Sequence, residues 1–442
     1  MDIVVMVAQI LLSLSILVGL HEMGHLLAAK MFGMRVEQFS IGFPPKLFKF
    51  QYGETEYAFS AIPLGGYVKI SGMIDESLDT EKLKEDPEPW EFRSKPAWQR
   101  LIVMLGGIVV NVITGIVIFI LITYTWGDSY ISKDAINDNG GIHALELAKQ
   151  IGLQTGDKIL KINGKEFQDS QDIINPQYLL DEKPFYTVER GGELVDITIP
   201  GNFIEYFSDE NVQFFNIRTR LLVDSIQEKS LADKIGIKKG DKIIEANDTP
   251  VQFQDELAEV MNTRNMDTLS LKVDRKGSVI SLINYLPKDS TKIGIYMDNS
   301  YLKKYENVQE YSLSQSIPLG TSKAFGIVFL QIKAFGKMFS GDLNVRKSLS
   351  GPIGIAEAYG RNWEWPRFWR LTGLLSMVLA FMNLLPIPAL DGGHVMFLTS
   401  EIISGRKPSD KFMEMAQKVG MIILLGLMVF IFANDILKQF GI

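Results

Sequence analysis

The run "ILVGLHEMGHLLAAK" (residues 16–30) sets two histidines and a glutamate inside one of the most apolar stretches of the chain. Ionisable side chains are costly at membrane depth and mark functional positions there. His21 and His25 are four residues apart, so on a helix they project from one face, with Glu22 beside them. This H-E-x-x-H spacing lets two imidazoles share Zn²⁺ while the glutamate takes a proton from water that the metal acidifies. Helix rise places His21 about 27 Å from Ile3, towards the cytosolic end of a span that starts there. The blander alternative is a chance motif whose polar groups are satisfied in a helix bundle. Two histidines and a glutamate at that depth need partners, and a metal supplies one.

Working outward, four apolar runs reach the roughly 20 residues a bilayer requires: 3–29, 101–126, 371–390 and 419–437. The segment "SIPLGTSKAFGIVFLQIKAFGKMF" (316–339) carries Lys323, Lys333 and Lys337 and reads as amphipathic and interfacial. Basic residues near the span ends set orientation. Lys30 and Arg35 follow the first run, which places its N-terminus outside. Arg93, Lys95 and Arg100 precede the second, and Lys407, Lys411 and Lys418 the fourth, so both run outward. The third must then run inward by parity, against the pull of Arg361, Arg367 and Arg370 before it. The N-terminus, Met1-Asp2, lacks the basic region of a cleavable signal.

The composition fits a few spans plus a large polar part: 442 residues are 46% hydrophobic, with a mean hydropathy of +0.10. A net charge of −7 argues against a nucleic-acid partner, which needs a basic face. The absence of cysteine excludes disulfides, thiol catalysis and Cys-type zinc sites.

A hydrolytic zinc site needs a third protein ligand and an open position. The candidates are Asp391 and His394, in "FMNLLPIPALDGGH" (381–394). His143 belongs to the polar region and reads as a structural or surface residue. Pro386 and Pro388 break the helix inside the apolar run. Gly392 and Gly393 let the backbone turn, and broken backbone at membrane depth lines a cavity. Asp391 is preferred because it lies at the break, deeper than His394.

About 240 polar residues separate the second and third runs and contain a repeat: "IGLQTGDKILKINGKEFQD" (151–169) returns as "IGIKKGDKIIEANDTPVQF" (236–254). A glycine turn, a strand and a second turn recur, which resembles the PDZ domains of bacterial membrane and periplasmic proteases. Two copies fit, at 127–221 and 222–305. Such domains add an extended peptide to a sheet edge.

"HEMGH" and "NLLPIPALDGG" at opposite ends of one membrane chain resemble the site-2 protease family, zinc proteases that cut within the membrane. "IPLGGYVKISG" (62–72), "WQR" (98–100), the PDZ pair and "LSGPIGIA" (349–356) follow in the family order. The resemblance implies zinc on His21, His25 and Asp391, with Glu22 as the catalytic glutamate. It implies that Asn383 holds the substrate backbone and that Pro386 and Pro388 shape that segment. It makes Leu64, Gly65, Gly66, Tyr67 and Val68, in "LGGYVK" (64–69), part of a re-entrant β-loop lining the site. Two departures are Gly42-Phe43-Pro44, where the family often has Gly-x-Gly, and Gly106-Gly107-Ile108-Val109-Val110-Asn111, where relatives carry Ala-Gly-Pro-x-x-Asn.

The expected fold is therefore a polytopic α-helical membrane protein. It has about four transmembrane helices, a re-entrant β-loop and two inserted β-rich PDZ domains. A first membrane half (1–126) precedes the PDZ pair; an amphipathic interfacial segment (306–367) and a second membrane half (368–442) follow it. The resemblance implies as partners single-span membrane substrates of anti-sigma factor and remnant signal-peptide type, an upstream site-1 protease acting on the same substrate, and the lipid of a bacterial inner membrane. A PDZ scaffold with a vestigial metal site, a transporter, and a tethered protease working in water are the alternatives. Intact Glu22, His21, His25 and Asp391, the lack of an inverted repeat, and the apolar setting of the motif weigh against each in turn.

Overall fold

The long apolar runs become long helices. The computed structural model describes residues 2–73, 86–208, 213–286, 293–348 and 351–439. The chain forms two units, one of residues 1–127 with 310–442, the other of residues 128–309. The principal helices of the first unit are α1 (Asp2–Met31), α2 (Ala97–Trp126), α3 (Leu313–Ser340), α4 (Pro352–Tyr359), α5 (Trp365–Leu384), α6 (Asp391–Ser404) and α7 (Asp410–Gln439). Among the described residues three helical stretches are long and apolar enough to cross a bilayer: Ile3–Met31, Ala97–Trp126 and Lys411–Leu437.

The run expected at 371–390 is organised differently. Its helix, α5, begins at Trp365 and so takes in Arg367 and Arg370. It stops at Leu384, because Pro386 and Pro388 offer no N–H groups to continue it. The chain reverses at Ala389, which has φ +80°, and α6 then starts at Asp391. Gly392 and Gly393 are therefore not the turn. They lie in the first turn of α6, where a Cβ on Gly393 would sit 2.6 Å from the Ile387 carbonyl oxygen.

Small residues let the helix backbones close up, which is how helices associate without a hydrophobic drive in lipid. α1 and α2 meet at Gly24 and Gly106, where a Cβ on Gly106 would lie 2.6 Å from the Gly24 carbonyl oxygen. α3, expected at 316–339, runs antiparallel to α2: Gly320 abuts the Ile120 backbone, and Ile327 and Val328 reach the level of Val112 and Ile116. The "LSGPIGIA" run enters the described residues at Gly351. There the Asp435 carboxylate of α7 accepts the Gly351 and Ile353 N–H groups at 2.8 and 2.9 Å, capping α4.

Two long strands, β1 (Val36–Tyr52) and β2 (Thr55–Ile70), follow α1 and fold back on each other. Residues 38–41 pair with 56–59 on one side and with 66–69 on the other, while 46–52 pair with 55–60. The ladder order is therefore 46–52, 55–60, 36–41, 66–70. The last segment is an edge among the described residues.

The second unit repeats itself in three dimensions. Lys165–Glu166, Lys158–Ile162, Phe185–Arg190 and Glu193–Thr198 lie side by side in that order. Thr249–Pro250, Lys242–Ala246, Thr268–Arg275 and Ser278–Tyr285 do the same. Each sheet has its own apolar core, with Tyr186 and Phe203 in the first and Leu257 and Leu271 in the second. The duplicated Gly-Asp turn explains the repeat. Asp157 takes two hydrogen bonds from Arg190 at 2.7 Å, and Asp241 takes two from Arg275 at the same distance. Each arginine also donates to a glycine carbonyl, Gly152 or Gly236. Leu221 already packs in the second core, and 306–309 pair with 128–131.

Candidate metal centre

The first unit brings the two ends of the sequence to one point. His21 and His25, on the buried face of α1, and Asp391, at the start of α6, each offer one ligand atom. His21 Nε2 lies 3.2 Å from His25 Nε2 and 3.1 Å from Asp391 Oδ2, and His25 Nε2 lies 3.4 Å from the same oxygen. Ligands bonded to zinc at about 2.0–2.2 Å in tetrahedral geometry stand roughly 3.3–3.5 Å apart. The Asp391 Oδ2 atom is buried and has no hydrogen-bond donor among the described residues. A buried carboxylate oxygen without a donor is costly. Its position between two imidazole nitrogens fits a shared cation. His394, the other candidate third ligand, lines the same cavity but is not in the cluster.

α2 orients both rings. The Val103 carbonyl oxygen is 2.8 Å from His25 Nδ1. A carbonyl can only accept, so the proton sits on Nδ1 and the Nε2 lone pair faces the cluster. The Asn111 side-chain amide stands 3.3 Å from His21 Nδ1. Turned so that its oxygen meets the ring, it satisfies the otherwise unpartnered Asn111 Oδ1 and fixes His21 in the same tautomer. The Asn111 backbone carbonyl accepts the Ser376 hydroxyl of α5 at 2.7 Å. Gly107 lies behind both rings, and a Cβ there would fall 2.5 Å from His25 Nε2 and from His21 Cε1.

A cavity of about 520 Å³ opens on the cluster, with Glu22, Gly65, Gly66, Tyr67, Val68 and Asn383 among its lining residues. Glu22 borders the Val68 backbone on the edge segment. Gly66 is tight against Ser40 and Glu22: a Cβ on it would meet the Ser40 carbonyl oxygen at 2.7 Å and Glu22 Cγ at 3.4 Å. Asn383, near the end of α5, reaches within 3.4 Å of His21 Nε2. Pro386 and Pro388 do not line the cavity. They end α5, and Pro388 packs against Gly393 and Gly420. The Leu64 side chain lies outside the described residues.

Sequence reasoning missed Val103, Gly107 and the role of Asn111, although Asn111 ends the Gly106–Asn111 run already singled out. It also missed Gln417 of α7, which is buried and lines the cavity. A backbone carbonyl leaves no trace in side-chain identity, and a lone glutamine in a polar stretch carries no signal.

The profile of peptidase family M50 matches residues 9–427. A regulator of sigma E protease from Haemophilus influenzae is 30% identical, over 97% of this chain and 98% of its own length. A Pasteurella multocida protein named as a zinc metalloprotease is 29% identical, over 98% of each chain. The regulator of sigma-E protease RseP of Escherichia coli is 29% identical, over 97% of each chain.

Proposed function

This chain belongs to peptidase family M50 and is a zinc metalloprotease of a membrane, and from that premise we propose that it hydrolyses peptide bonds within single membrane-spanning segments. The observation that carries this reading is the convergence of His21, His25 and Asp391 with Glu22 on one cavity inside the apolar unit, beside a strand segment that is a sheet edge among the described residues.

His21, His25 and Asp391 would hold the zinc ion, which would supply Lewis-acid polarisation and a water of pKa about 7. Glu22 receives the proton from the attacking water and delivers it to the leaving amine. A substrate helix hides its carbonyls in its own hydrogen bonds, so it must be unwound before it can be cut. The edge at 66–70 can pair with an extended peptide, and Asn383 offers its amide to that peptide's backbone beside the metal.

The substrates we infer are single-span proteins already trimmed outside, of the anti-sigma factor type, together with remnant signal peptides. An upstream site-1 protease would make the first cut. The two repeats of residues 128–309 are read as the PDZ pair, acting as a size filter or a sensor of the new C-terminus. The bilayer is the bacterial inner membrane, with the repeats outside and the metal centre towards the cytosol. α5 is read as a fourth span and α3 as interfacial.

The test is cleavage in detergent of a single-span substrate lacking a bulky outer domain. Wild type should cut inside the span. Glu22→Gln should be slower by about 10²–10⁴-fold with zinc retained, and a chelator should abolish cleavage. Equal behaviour of all three samples would overturn the reading.

A further inference from the structure

We propose that Arg100 and Glu401 form a latch that positions Asp391 as a metal ligand. The proposal rests on the zinc-protease reading and names residues that reading does not use.

Among the described residues no donor holds Asp391 Oδ2, which faces the lone-pair Nε2 atoms of His21 and His25 at 3.1 and 3.4 Å. The place of Asp391 must come from α6, of which it is the first residue. The near end of α6 is wedged by Gly392 and Gly393 under the backbone of 384–388. Ten residues further on, about 15 Å along the helix, Glu401 accepts from Arg100 Nη2 at 2.5 Å. Arg100 is 7% exposed and the Glu401 side chain 15%. The guanidinium is itself fixed: Nε donates to the Lys95 carbonyl at 2.9 Å, and the group lies 6.0 Å from the centre of the Phe92 ring. The pair therefore ties α6 to a rigid point on α2.

α2 is also the element that orients the other two ligands. Arg100, Val103, Gly107 and Asn111 follow at spacings of three and four, which places them along one helix face. Val103 holds His25, Asn111 holds His21, and Gly107 backs both rings. With Arg100 holding the helix of Asp391, one face of α2 references all three ligands. A buried ion pair is a poor device for stability alone, since desolvation offsets much of its attraction and apolar residues serve as well. What it supplies that an apolar contact cannot is a directional, charge-specific register between two helices. Arg100 and Glu401 are positioning residues and touch no reacting atom.

The experiment measures metal binding directly, so it needs no substrate. Full-length protein is stripped of metal, and zinc affinity is read by chelator competition. The electronic spectrum of the Co²⁺-loaded protein reports ligand geometry, and thermal unfolding confirms a folded state. The variants are Glu401→Gln, the reversed pair Arg100→Glu with Glu401→Arg, and His25→Ala as a ligand-loss control. Glu401→Gln should bind zinc about 10-fold more weakly, the low end of what changes directly beside a ligand produce, with an altered Co²⁺ spectrum. The reversed pair should recover most of the affinity and the native spectrum, whereas a purely structural role predicts a lower melting temperature in Glu401→Gln with zinc affinity and Co²⁺ spectrum unchanged in the folded protein. Native affinity and spectrum in Glu401→Gln, or a folded reversed pair as weak as the single variant, would overturn the latch. Wild type that binds no zinc, or binds it as His25→Ala does, would overturn the metal-centre reading beneath it.

Discussion

His25 donates its Nδ1 proton to the Val103 carbonyl oxygen at 2.8 Å, so a backbone atom of α2 decides which nitrogen of an α1 histidine faces the cavity. Asn111 does the same for His21 from two turns further along. The metal centre is thus a property of the α1–α2 contact as much as of the H-E-x-x-H motif.

Asn111→Leu removes the partner of His21 Nδ1 and leaves all three ligands in place. Zinc affinity should fall about 10–100-fold. Chelator competition on the purified protein checks this, and an unchanged affinity would show that His21 is oriented by something else.

Gly107→Ala tests the close approach. The added methyl has no room beside His21 and His25, so the helices must part or the rings must turn. Overpacking of this kind costs about 1–3 kcal/mol, and zinc content should drop with it. Gly426→Ala, on the exposed side of α7 with open space around its Cβ position, should leave zinc content unchanged and hold or raise stability, by up to about 1 kcal/mol.

The edge segment 66–70 predicts a substrate preference. If the substrate must leave its helix to pair with that edge, residues that weaken helices near the cut favour cleavage. Replacing Gly and Ser in a substrate span by Leu should slow cleavage about 10-fold or more, equivalent to roughly 1.4 kcal/mol in the barrier. Mass spectrometry of products over time gives the rates. Equal rates for both spans would remove unwinding from the account.

Asp241 predicts the acid response of the second repeat. Burial pushes its carboxyl up, but hydrogen bonds from Arg275 and the Lys238 N–H pull it down further, leaving it below the usual carboxylate value. A group held lower when folded than when unfolded adds stability above its unfolded pKa of about 4, and that stability is lost as the pH falls towards the folded value. Hydrogen exchange in Lys242–Ala246 and Thr268–Arg275 should therefore be steady from pH 7 to 5, after correction for intrinsic rates. Protection should fall below pH 4. Asp241→Asn breaks the pair, and should lower protection of both strands at pH 7 and flatten the acid response.

The parts legible in sequence were those whose signal is local. The H-E-x-x-H spacing puts His21, Glu22 and His25 on neighbouring positions of one helix, and the prolines after Leu384 mark the break that delivers Asp391. The Gly-Asp turns announced the repeat because Asp157 and Asp241 make the same local contacts. Illegible were features set by how elements meet. Val103 and Gly107 act through a carbonyl and an absent side chain. The positive φ fell on Ala389 while the neighbouring glycines served close packing. The four-segment ladder of 36–70 depends on long-range register, which alternation of side chains does not reveal.

In this reading, residues from both ends of the chain hold one zinc ion. Zinc X-ray absorption on the purified full-length protein tests it most directly. The account predicts one zinc per chain, with two imidazole nitrogens and carboxylate or water oxygens at about 2.0–2.2 Å. It also predicts loss of one nitrogen scatterer in His25→Ala and of bound zinc in the His21→Ala, Asp391→Ala double variant. A zinc shell of other composition, or one unchanged by these substitutions, would contradict it.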